Sequence, residues 1–122
     1  MPGRLRALRG ATTVDEDTRE QIFDRTVALL GELFARNDVD HDDVVSVIFT
    51  ATDDIHAAFP AAAAHTFGLG DVPLLCAREL DITGGTPRCI RILMHIESER
   101  SRAELRHVYL EGAVGLRDDL PG

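Results

Sequence analysis

The run CIRILMHI, Cys89 to Ile96, constrains the fold more than any other stretch of the chain. Alternation with a period of two places Arg88, Ile90, Ile92, Met94 and Ile96 on one face, and Cys89, Arg91, Leu93 and His95 on the other. That is a strand destined for the interior, yet Arg91 stands third from its start. A guanidinium is always charged and costly to desolvate alone. Arg91 therefore needs an anion, either an internal carboxylate such as Glu79 or Asp81 or a ligand brought from outside.

Around this strand the chain alternates between two periodicities. RLRALRG reads as a first strand, with Leu5, Ala7 and Arg9 on one face, Arg6 and Leu8 on the other, and Gly10 ending it. DTREQIFDRTVALLGELFARN has helical spacing at Ile22, Leu29, Leu30, Leu33 and Phe34, with Asp17 and Glu20 placed as a capping pair and Asn37 as a stop. Val44 to Thr50 is a second strand, and AFPAAAAHTFG is a short helix opened by Pro60 and closed by Gly68. Asp53 and Asp54 are placed to cap the IHAAF segment. DVPLLCAREL gives a third strand, DITGGTP a turn, SRAEL a capping-box start, and the region of Val108 a last short strand before a helical turn. The order β-α-β-α-β-β-α-β indicates a mixed-sheet α/β or α+β fold, in one domain spanning residues 1–122.

Composition narrows the function classes. The net charge of −8 opposes non-specific nucleic-acid binding, which needs a basic face. It does not oppose an anionic small molecule, because a local arginine cluster dominates the field inside a cleft. No apolar run reaches the roughly 18 residues that span a bilayer, and no signal-peptide pattern opens the chain, so a cytoplasmic, membrane-free setting is expected. Cys76 and Cys89 show no zinc spacing and read as free thiols. The five histidines show no ligand spacing and read as solvated or packed. The TGG turn is too short for a phosphate loop.

Four stretches carry more specific information: RGATT (9–13), TATDDIHAAFPA (50–61), CARELDITGGTPRCIRILMH (76–95) and RHVYLEGAVGLRDDL (106–120). In order and spacing they resemble the monofunctional chorismate mutases of the trimeric α/β type, over nearly the whole chain. The resemblance implies a pseudo-α/β-barrel homotrimer with active sites between subunits, no cofactor, and chorismate and prephenate as ligands. It implies that Arg9 pairs with a substrate carboxylate, that Arg91 reaches a carboxylate and the ether oxygen, and that Glu79 accepts the substrate hydroxyl proton. It further implies Cys76 in the same wall, Tyr109 as a carboxylate-binding phenol, Phe59 as an apolar wall and Arg117 as a closing group from the tail. Ala61, Leu74, Leu75 and Leu116 complete the implied lining. Two positions depart from the pattern: Ala62 stands where a lysine is common, and His65 where an arginine is common.

The implied reaction is a unimolecular Claisen rearrangement within aromatic amino-acid biosynthesis. It needs no nucleophile, general base or metal, only cations that hold a dicarboxylate in its bent form and a charge aimed at the departing oxygen. A non-catalytic dicarboxylate-binding trimer is the alternative; the intact set of Arg9, Glu79 and Arg91 favours catalysis. A deaminase-like hydrolase would need a water-activating arrangement that the sequence does not present.

Overall fold

The structure, a computed structural model, describes residues 3–119, with the backbone alone for 117–119. The elements run β1 (Arg4–Thr13), α1 (Arg19–Asn37), a 3-10 turn (His41–Asp43), β2 (Val44–Ala51), α2 (Pro60–Phe67), β3 (Leu74–Arg78), β4 (Cys89–Ser98), β5 (Val108–Tyr109) and a 3-10 segment (Glu111–Asp119). The strands form one mixed sheet in the order β3-β2-β4-β1-β5. The β2–β3 and β1–β5 pairs are parallel, while β4 runs antiparallel to both β1 and β2.

Both helices lie on one face of this sheet. Leu8, Val47, Phe49, Ile92, Met94, Ile96 and Val108 meet Leu29, Leu30, Leu33 and Ala64 in a single core. The alternation read in CIRILMHI thus points Ile90, Ile92, Met94 and Ile96 inward. The other face carries Arg9, Ile48, Thr50, Leu75, Arg91, Leu93 and His95, all half-buried or exposed.

Four local expectations are corrected. First, β1 does not end at Gly10 but continues to Thr13. A Cβ at Gly10 would lie 3.1 Å from methyl carbons of Leu29 and Leu33, so the glycine lets α1 approach the strand rather than terminating it. Second, the cap of α1 is Thr18, whose hydroxyl accepts from Gln21 N at 3.2 Å. Asp17 instead accepts from the backbone N–H groups of His56 and Ala57, fastening the loop ahead of α2. Third, Asp53 and Asp54 do not cap residues 55–59, which are not helical. Asp53 pairs with Arg78 at 2.5 Å, and Asp54 accepts from Arg88 N at 2.9 Å. Fourth, SRAEL closes only a turn, in which Glu104 accepts from Ser101 N at 2.9 Å. The buried Asn37, at the end of α1, captures both backbone groups of Arg106 (2.6 and 2.8 Å), which turns the chain into β5 before a helix can propagate. The remaining elements fall where the sequence places them; α2 begins on Pro60 and ends at Gly68, with φ of 114°.

Candidate active site

Strand register assembles one group of candidates. Tyr109 pairs with Ala11, Ala11 with Arg91, and Arg91 with Thr50. These four side chains form a row across the face that the helices leave uncovered. Arg9, paired with Leu93, stands two residues before Ala11 on that same face.

Glu79 follows β3 directly, and its N–H bonds to Ala51 O at 2.9 Å, extending the β3 alternation by one residue. Its Oε2 accepts from the Thr50 hydroxyl at 2.5 Å and lies 3.3 Å from Arg91 Nε. That ion pair lacks hydrogen-bond alignment, and Arg91 Nε is a buried donor without an acceptor. The internal partner weighed for Arg91 is therefore present, but it does not saturate the guanidinium. Among the described residues no donor reaches Glu79 Oε1. The start of the 3-10 segment covers one end of the row, where Ala11, Cys89 and Ala113 are buried together and Tyr109 and Leu116 pack against them.

A second group of candidates lies on the opposite side of the sheet. Ala61, Leu74 and Cys76 pack against the helix-side core. Phe59, just ahead of α2, is 72% exposed. Phe59, Ala62 and Cys76 line a cavity of about 830 Å3 together with Arg19 and Arg78. Burial raises the Cys76 pKa, against a lesser lowering by a hydrogen bond from the Ala61 backbone, so the group stays a thiol and is no activated nucleophile. The hydrogen bonds of Val47 N to Pro73 O and of Glu79 N to Ala51 O show that the odd-numbered residues of β3 address β2. By alternation the backbone groups of Leu74, Cys76 and Arg78 face outward along the edge of the sheet.

One chain thus collects Arg9, Leu75, Glu79, Arg91, Tyr109 and Leu116 on one side and Phe59, Ala61, Leu74 and Cys76 on the other. The side chain of Arg117 lies outside the described residues. Alternation alone places Cys89, two residues before Arg91 on the same strand, on the face of Arg91. Sequence reasoning missed Thr50 and Ala11, because only cross-strand register brings them beside Arg91. It also left His107 unassigned. That imidazole accepts from Arg9 N at 3.0 Å, and its place two residues before Tyr109 was the available hint. A separate cleft of about 380 Å3, near the end of α1, is lined by Asp38, Asp43, Glu97 and Glu99 and would repel an anion.

Helices on one face of a mixed sheet, with guanidinium, phenol and carboxylate groups gathered on the other, define an α/β protein whose charged groups stand on the face that the helices leave uncovered. The profile of the family described as chorismate mutase type I matches residues 5–120, and the chain belongs to that family of isomerases. It is 44% identical to the chorismate mutase AroH of Bacillus subtilis (strain 168) over 117 residues, 95% of this chain and 92% of that protein. It is also 44% identical to the chorismate mutase AroH of Thermus thermophilus, over 95% of this chain and 96% of that protein. A solved chorismate mutase structure from Clostridium thermocellum superposes with a TM-score of 0.87 at 42% identity, covering 88% of this chain and 96% of the other.

Proposed function

We propose that the chain rearranges chorismate to prephenate in clefts formed between the subunits of a homotrimer. The observation that carries the chemistry is the buried Arg91 Nε, a donor without an acceptor beside Glu79. Chorismate bears two carboxylates, a ring hydroxyl and an ether oxygen. Arg9 and Tyr109 take a carboxylate, and Glu79 Oε1 accepts from the hydroxyl. The Arg91 fork spans a carboxylate and the ether oxygen.

Breaking of the C–O bond leaves negative charge on that oxygen while the new C–C bond forms, and no proton moves. A fixed cation aimed there binds the transition state more tightly than the ground state, which is the only kind of binding that raises the chemical rate. A donor in this position contributes about 3–4 kcal/mol to lowering the barrier.

The division of candidates between two faces supports the assembly. Phe59, Ala61, Leu74 and Cys76 cannot reach the Arg91 row of their own chain through the sheet, so a neighbouring subunit supplies them. Leu5 and Leu75, at 62% and 60% exposed, are apolar groups on the uncovered face that such a neighbour would cover. The chain acts as one domain, and the setting is the cytoplasm, where Cys76 and Cys89 remain thiols.

The test is to incubate purified protein with chorismate, following its loss in the ultraviolet and the appearance of prephenate, while sedimentation gives the mass in solution. Turnover by a trimer is expected. A chain that binds chorismate without consuming it would overturn the catalytic reading, and an active monomer would overturn the shared cleft.

A further inference from the structure

We infer that His107 is a positioning residue for substrate binding: its Nδ1 accepts from the Arg9 backbone N–H at 3.0 Å and so sets how Arg9 and Tyr109 stand relative to each other. The inference rests on the reading of those two residues as carboxylate ligands.

The need for such a fastener follows from the length of β5. Only Val108 and Tyr109 pair with β1, against Gly10 and Ala11. On the far side of that pair, Leu110 N donates to Ala11 O at 2.9 Å. On the near side the ladder ends with Val108 N–H on the Arg9 carbonyl. The Arg9 N–H is taken by the imidazole of His107, which accepts where the next backbone carbonyl of a longer strand would. Arg9 and Tyr109 thus sit at opposite corners of a patch held at one end by a side chain.

An Nδ1 that accepts from a backbone N–H carries no proton, so the ring must be the neutral Nε2–H tautomer. Its surroundings favour that form. Burial lowers the His107 pKa from its usual 6.5, and the Arg9 charge from β1 lowers it further. From α1 the group facing this junction is the uncharged Asn37, bound to the backbone of Arg106. Among the described residues no carboxylate acts on the ring to favour the imidazolium. Protonation would turn the acceptor into a donor pointed at another donor and place a cation beside Arg9. The junction then loosens, and substrate binding weakens before the fold is lost.

Steady-state kinetics with chorismate between about pH 5 and pH 8, on wild type, His107→Asn and His107→Ala, test this, together with an NMR titration of the His107 ring and the Arg9 amide. In the alanine variant KM rises about fivefold, the worth of one ordinary hydrogen bond, with a smaller change in kcat. The asparagine Oδ1 takes the place of Nδ1 and restores most of the loss. Wild-type kcat/KM falls on acidification with the midpoint of the ring titration, and His107→Asn lacks that limb. An asparagine variant as impaired as the alanine one, or one with the wild-type acid limb, would overturn the inference. If wild type failed to consume chorismate at pH 7.5, the reaction assignment would fail instead. The Arg9 amide would still decide the hydrogen bond, because its resonance must move with the ring's midpoint or the tie does not exist.

Discussion

At the scale of single residues, the chemistry turns on the shape of one cation. Arg91 Nε sits 3.3 Å from Glu79 Oε2, and the guanidinium fork has further N–H groups to reach around that contact. Lysine would keep the charge but place it at a point, leaving either the carboxylate or the ether oxygen unserved. Arg91→Lys should lower kcat about 10²–10³-fold while circular dichroism and the unfolding midpoint stay near wild type. Glu79→Ala removes the acceptor for the substrate hydroxyl and also strands the Thr50 hydroxyl that donates to it at 2.5 Å. KM should rise about tenfold or more, as expected for a hydrogen bond to a charged group, and kcat should fall with it; unchanged constants would remove Glu79 from the site.

At the scale of elements, the site depends on how closely α1 lies on β1. Gly10 allows that approach, and an alanine methyl there would meet Leu29 and Leu33 at 3.1 Å and Val108 O at 3.2 Å. Gly10→Ala should therefore cost about 1–3 kcal/mol through overpacking, read as a lower denaturation midpoint. Because Val108 belongs to β5, the same substitution should also raise KM through displacement of Tyr109. Thr18→Ala removes the cap of α1 without touching β5 and should cost about 1 kcal/mol, with KM raised less than in Gly10→Ala. Comparing the two variants separates general stability from positioning.

At the scale of the whole molecule, a sheet face bearing Leu5 and Leu75 at 62% and 60% exposure is consistent with a covered interface. Leu75→Asp should give a monomer by sedimentation that retains its far-ultraviolet spectrum but loses turnover. Acid should act on the loops that flank the cleft. The hydrogen bond from Arg78 holds the Asp53 carboxyl below its usual 3.8, even against some desolvation. Desolvation works against charge on Asp54, but the Thr52 hydroxyl and the Arg88 N–H outweigh it and lower that pKa as well. Both groups bind protons more weakly when folded, so their stabilisation is present above about pH 4 and is lost as pH falls through the folded values. The denaturant midpoint should therefore drop between about pH 5 and pH 3. Asp53→Asn, which cannot titrate, should lose part of that dependence.

The sequence by itself determined the periodic elements and the identity of the chemical groups. Alternation in CIRILMHI, helical spacing from Ile22 to Phe34, and the Pro60 and Gly68 punctuation are local patterns, and local sterics and burial suffice to read them. RGATT, CARELD and HVYLE likewise announce Arg9, Glu79 and Tyr109. The tertiary structure decided which residues stand beside them. Thr50 and Ala11 enter the Arg91 neighbourhood through strand register, and His107 meets Arg9 through a contact across 98 positions of chain. Only the sheet shows that Phe59 and Cys76 lie on the far side from Arg91, since a face exists only once strands are paired. Caps and turns were misplaced for the same reason. Thr18, Asp17, Asp53 and Asp54 all carry oxygens able to cap, and long-range backbone partners selected what each one binds.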